Sequence, residues 1–185
     1  MTDESVERAF REHPDFEQTD DDQFETPQKP FPGVVTVTEE DATDTDPDEA
    51  RHYEVEVRAP MLDAVVEGEE VAEVVEDGWF ETLELRLEDA HTVTNADSAS
   101  PPEVEREGSG EDAEVVVTVE FDRADPEYAA EDALAVVEYV EGTWVQGIIP
   151  GYDYGEPAAS LRERARQNYD EGGAGGRGGP GGAPM

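Results

Sequence analysis

An α+β domain, with an antiparallel sheet of about four to five strands covered by helices, is the fold class that this sequence predicts. Three observations carry it. Alternating or β-branched runs such as Tyr53, Val55 and Val57, or Val115 to Val119, have the pattern of strands. Two long stretches, Val71 to Ala90 and Pro126 to Pro150, keep apolar residues at the helical period. Strands come in runs between helices instead of alternating with them one by one, which favours an antiparallel sheet over a βαβ fold. Residues 1–169 are expected to form the single domain, and residues 170–185 a Gly-rich, disordered tail.

Taken in order, Thr2 to Glu12 reads as a short helix, with Asp3 or Thr2 as its cap and Val6, Ala9 and Phe10 on one face. Pro14 ends it. Phe16 to Thr19 and Phe24 to Thr26 flank a polar turn and suit a small hairpin. Val34 to Thr38 is a β-branched strand, followed by an acidic, turn-forming stretch from Glu39 to Ala50. Tyr53 to Arg58 alternates apolar and charged residues, the mark of a strand with one wet face, and Pro60 stops it. Leu62 to Glu67 is a turn of helix or a loop.

The second long helix places Val71, Val74, Val75, Gly78 or Trp79, Leu83, Leu87 and Ala90 on its apolar face; a strand starting near Phe80 competes with it, since Leu83, Leu85 and Leu87 also alternate. His91 to Asn95 is expected to begin a strand, Val104 to centre another, and Ala113 to Phe121 to form the clearest one. The longest helix then opens at Pro126 with Asp125 as cap and aligns Ala130, Leu134, Val137, Val140, Trp144 and Ile148. Gly142 and Gly147 each cost about 1 kcal/mol against alanine, so whether the helix runs through Gly142 is left open, and Pro150 sets the far limit. Pro157 to Gln167 gives a last helix with a weak apolar face, Ala158, Leu161 and Ala165.

Composition narrows the function classes. Asp and Glu number 50 against 12 Lys and Arg, for a formal net charge of -38, and Lys29 is the one lysine. Disorder throughout would need low hydrophobicity as well, and the core patterning above speaks against it. Salt adaptation accounts for acids spread along the whole chain, since self-repulsion of this size calls for screening, and at about 1 M salt the Debye length is about 3 Å. High salt is therefore expected to be needed for folding, in the cytoplasm of a halophilic organism. Without a basic patch, nucleic acid is an unfavoured partner. No cysteine is present, so disulfides and thiolate chemistry are excluded. Acids at the N-terminus do not suit a signal peptide, and no apolar run approaches the ~20 residues of a membrane span.

Motifs that would announce chemistry fail on context. Lys29 sits in TPQKPF, which is no phosphate loop; Gly173, Gly175 and Gly178 spell GxGxxG without a strand before it. Asp44, Asp46 and Asp48 have the spacing of a calcium loop, but Glu49 and Val55 stand where glycine and a bidentate acid belong. His13, His52 and His91 lie far apart, and Ser109 lacks a nucleophile elbow. No catalytic residue, cofactor or metal site is assigned.

The stretch from Gly142 to Tyr152 has no charge in a chain that is 34% charged. Core packing by Trp144, Ile148 and Ile149 accounts for most of it, and the aromatic turn Gly151 to Gly155 adds a candidate contact surface. The segments VVEDGWFETL (Val74 to Leu83) and VEYVEGTWVQGIIPGYDY (Val137 to Tyr154) resemble those of a family of small, acidic haloarchaeal proteins of unknown function. That resemblance implies no activity. The element order is also similar to that of secretion-chaperone-like folds, which implies binding to or dimerising with protein. The expectation is a non-enzymatic protein-binding or assembly module, whose partner is another protein or a second copy of the chain in a homodimer, with Trp144, Tyr152, Asp153, Tyr154 and Arg58 as candidate binding residues. The alternative is a small-ligand binder or enzyme with its site between Trp144 to Tyr154 and the sheet. RNA contact through Arg162, Arg164 and Arg166 is the remote third reading.

Overall fold

Each helix starts and stops where its sequence provides the backbone partners. In the computed structural model, which describes residues 3–38 and 49–173, α1 (Glu4–Glu12) is capped by Asp3, whose carboxylate accepts the Ser5 N–H at 2.8 Å. Val6, Ala9 and Phe10 face inward, as their spacing predicts. Helix α2 spans Glu73–Leu87. Helix α3, Pro126–Gln146, opens with Pro126 in its first turn, and Asp125 accepts from the N–H groups of Glu127 and Tyr128. Helix α4 spans Ala158–Gly173, past the end expected for the last helix, and over residues 158–170 it buries only Ala158 and Leu161.

The strands are β1 (Glu17–Asp20), β2 (Gln23–Glu25), β3 (Gly33–Thr38), β4 (Arg51–Pro60), β5 (Ser98–Ala99), β6 (Glu103–Glu107) and β7 (Glu114–Arg123). They form one sheet in the order β1-β2-β3-β4-β7-β5, with β6 also on the outer side of β7, and every pairing is antiparallel. The α+β class therefore holds, with seven strands among the described residues instead of four or five. The excess comes from short edge strands. β5 and β6 share one edge of β7 and are separated by Pro101 and Pro102, which have no N–H to give to a ladder. β1 and β2 form the expected hairpin despite thin apolar content, held by Phe24, which is fully buried.

Strand parity decides which side chains meet the helices. Tyr53, Val55, Val57 and Ala59 of β4 are buried beside their register partners Phe121, Val119, Val117 and Val115 of β7. One end of this core is aromatic: Phe10 stacks on Phe24 with ring centres 4.6 Å apart, and Tyr53 on Phe121 at 5.3 Å. At the other end Trp144 meets Phe31 at 5.1 Å and Trp79 at 6.2 Å. The opposite face of the sheet carries His52, Glu54, Glu56 and Arg58 of β4 across from Asp122, Glu120, Thr118 and Val116.

Three local expectations are corrected, for His91 to Asn95, Ile148 and Val74, and the open question at Gly142 is answered. His91 to Asn95 is not a strand, because Ala90–Val93 forms a 3-10 turn in which Thr92 and Thr94 hydroxyls donate to the carbonyls of Asp89 (2.6 Å) and His91 (2.9 Å). Such local side-chain bonds compete with a ladder. Helix α3 passes Gly142 unbroken, since Val140, Thr143 and Trp144 are buried on either side and packing outweighs a glycine cost of about 1 kcal/mol. It then ends at Gln146, so Ile148 lies beyond the helix. Val74, expected on the buried face of α2, is 79% exposed. The strand reading near Phe80 is not realised, and Asp63–Val65 supplies the turn of helix between β4 and α2. The acidic loop with Asp44, Asp46 and Asp48, Thr2 as an alternative cap, and the chain from Ala174 to Met185 lie outside the described residues.

Candidate functional site

Helix α2 and the segment that leaves α3 lie side by side and frame a groove. Along α2 the inward positions are Glu76, Trp79, Leu83 and Leu87. Glu76 is a buried acid held on both oxygens: Oε2 accepts the Asp63 N–H at 2.7 Å and Oε1 accepts from Arg106 Nη2 at 2.8 Å. Asp63 in turn accepts the Val71 N–H at 2.7 Å, which fixes the approach to the helix. The helix is thereby locked onto the β6 edge, and its other side is left turned outward.

The α3 end is set by Gly147, whose N–H reaches the carbonyls of Thr143 at 3.1 Å and Trp144 at 3.0 Å, and by Pro150, which bars helical geometry at Ile149. Gly151 follows with φ +106, a conformation that favours glycine. The Tyr154 hydroxyl then donates to the Ile149 carbonyl and closes the turn. Val66 and Tyr154 form a bridge, with the Glu67 N–H on the Asp153 carbonyl and the Gly155 N–H on the Val65 carbonyl, both at 2.8 Å. Burial pushes the Tyr154 phenol above its ordinary pKa, and the guanidinium of Arg162 lies 5.1 Å from the centre of its ring.

The groove has a volume of about 450 Å³, and its walls include Val74, Gly78, Trp79, Thr82 and Arg86 on one side and Gln146 to Pro150 on the other. No acidic residue lines it. Arg86 is its one charged group, and Nη1 donates to the Gln146 carbonyl at 3.3 Å. The indole nitrogen of Trp79 is buried in the wall with no acceptor. Leu85, on the same outward stripe of α2 as Val74 and Gly78, is 67% exposed.

Of the residues singled out from sequence, Trp144 is fully buried and donates from Nε1 to the Pro60 carbonyl at 2.9 Å. It supports the groove from below through Trp79 and presents no surface of its own. Tyr152 and Tyr154 are half-buried, edge to face at 6.4 Å, and Asp153 is exposed between them. Arg58 is not with them. It lies on the helix-free face of the sheet, where Nε donates to Glu56 at 2.8 Å and Nη1 to Glu107 at 2.9 Å and Glu114 at 3.2 Å. These carboxylates hold its pKa above the ordinary arginine value. The reason is parity: Val57 and Ala59 face the helices, so Arg58 faces away. Sequence reasoning missed the α2 wall. The available signal was that Val74 and Leu85 fall on the polar stripe of the helix with Glu81.

The three histidines sit on separate elements: His13 after α1, His52 in β4 and His91 in the 3-10 turn. Among the described residues, no group of three or more His, Asp or Glu could hold a metal ion, and no helix is long and apolar enough to cross a membrane.

A family model with the description "Family of unknown function (DUF5813)" matches residues 11–164. No curated protein and no solved structure matches the chain.

Proposed function

Because the chain belongs to DUF5813, a family of unknown function, we propose its role from its own geometry: a non-enzymatic module that binds protein through the α2 groove and the neighbouring aromatic turn. One observation carries the reading. In a chain with 50 acids, a groove lined without a single carboxylate lies next to the exposed apolar side chains of Val74 and Leu85. Exposed apolar surface with a polar rim is the usual character of a protein contact site. Tyr152, Asp153 and Tyr154 extend the surface beyond Pro150, and Trp144 supports it from the core. The setting we propose is the cytoplasm of a halophilic organism, where molar salt screens the charge of -38.

The test is affinity capture at about 2 M KCl, a level at which the Debye length is only a few ångströms. Wild type is compared with Val74→Glu, Leu85→Glu and Tyr152→Ala, each first checked for folding by circular dichroism. A partner held by wild type and lost by the two α2 variants is the expected result. Identical capture by all four proteins would overturn the reading and favour the alternative of a small-ligand site.

A further inference from the structure

If the groove is a protein-binding site, its lining specifies the chemistry of what enters. The walls give apolar contact through Val74, Val75, Ile148, Ile149 and Pro150. Two donors in the lining, one charged and one buried, give the groove its polar character. Arg86 has no carboxylate partner among the described residues; Arg51, Arg58, Arg106 and Arg123 have at least one, and although Arg8, Arg162, Arg164 and Arg166 also lack one, only Arg86 lines this groove. Its single bond is the one to the Gln146 carbonyl, which leaves guanidinium N–H groups free for a bidentate acceptor. The second donor is Trp79, 5% exposed overall, whose Nε1 lacks the acceptor that its neighbour Trp144 finds on Pro60. A buried donor left unpaired is costly, and an incoming acceptor would remove that cost. Gly147 stands next to it: a Cβ there would lie 3.7 Å from the indole nitrogen, so glycine keeps that approach clear of a side chain.

We infer that the groove takes a short apolar segment of another protein that carries a carboxylate, with the carboxylate on Arg86 and a main-chain carbonyl on Trp79 Nε1. The wall from Val74 to Arg86 is about 18 Å long at 1.5 Å per helical residue, which matches about five residues of extended chain. This rests on the protein-binding reading above and names the ligand for it. A second copy of this chain docking by its own α2 is the poorer occupant. On the side of the apolar stripe away from the groove, α2 carries Glu73, Asp77 and Glu84, and Glu88 follows at its C-cap, all exposed. Antiparallel pairing of two such helices sets same flank against same flank and so acid against acid.

The two tryptophans make the test direct, because each contributes one indole N–H signal to a 1H–15N spectrum of the full chain. The probe is a pooled set of N-acetylated pentapeptide amides with Leu, Ile or Val at four positions and Glu at the fifth, titrated at about 2 M KCl. The Trp79 indole signal is expected to move and the Trp144 signal to stay. Arg86→Gln should weaken binding of the Glu pool about tenfold, and leave binding of a matched Gln pool unchanged. No movement of the Trp79 signal with any pool, or equal binding of the Glu pool by wild type and Arg86→Gln, would overturn the inference. Capture of a partner through Val74 alongside either of those results would leave the binding-module reading standing.

Discussion

At the scale of single residues, buried polar atoms show which side chains are there for shape and which for bonding. Tyr53 is fully buried between Phe10 and Phe121, and its hydroxyl has no hydrogen-bond partner. Burial drives its pKa upward for the same reason that the hydroxyl is a liability: nothing solvates it. Tyr53→Phe removes that group and keeps the stack, so thermal unfolding should show it at least as stable as wild type, by up to about 1 kcal/mol. Asp3 is the opposite case. Ser5, through its backbone N–H and hydroxyl, and then Arg51 at 2.6 Å hold its carboxyl at about 2 instead of 3.8. A depressed acid pKa adds stability above the unfolded value and loses it as pH falls through the folded one. Acid unfolding of wild type should therefore carry a contribution between about pH 4 and pH 2 that Asp3→Ala lacks, measured as a smaller loss of stability across that window in the variant. At neutral pH the variant should be less stable by about 1 kcal/mol for the lost cap.

At the scale of elements, the two glycines of α3 and β3 have opposite meanings. Gly142 has open space where a Cβ would go, so Gly142→Ala should gain about 1 kcal/mol of helix propensity without a clash. Gly33 has Val137 Cγ2 only 2.4 Å from its Cβ position, because β3 runs directly under α3. Gly33→Ala should therefore cost about 1–3 kcal/mol, and a denaturant titration of the pair checks both signs. These positions also show how much was legible in the sequence. Periodicity alone placed the α+β class, all four helices and the inward faces of α1, β4 and β7, since burial imposes periods of 3.6 and 2. It left Gly142 undecided because propensity is local and the burial of Val140 and Trp144 is not. It undercounted strands because edge strands such as β5 and β6 are made by pairing with β7, and their own composition is polar. The candidate site was half visible: the uncharged stretch after Gly142 pointed to one wall of the groove. The other wall, on α2, depends on which of two Val residues turns outward, and Arg58 was drawn in only because its strand parity relative to the helices was unknown.

At the scale of the whole molecule, the sheet has two unlike faces, and this asymmetry determines how charge acts on stability. The helix-covered face is apolar; the other sets Glu54 directly opposite Glu120 and Glu107 opposite Glu114. Like charges directly opposed across a ladder are destabilising. Arg58 offsets the second of these pairs, since it bridges three strands by bonding Glu56 on β4, Glu107 on β6 and Glu114 on β7. With a formal net charge of -38 and one such bridge near the Pro60 end of the acidic face, self-repulsion should decide whether the chain folds in dilute buffer. Far-UV circular dichroism is therefore expected to show loss of structure at low salt and recovery at about 2 M KCl, where the Debye length is a few ångströms. Arg58→Gln separates this cause from a general salting-out of apolar surface. If repulsion is the cause, the variant should need more salt than wild type to fold and should converge with it at about 3 M, because screening removes the repulsion that Arg58 offset. If wild type and variant fold at the same salt concentration, the charge on the sheet is not what the salt acts on, and the requirement belongs to burial of the core.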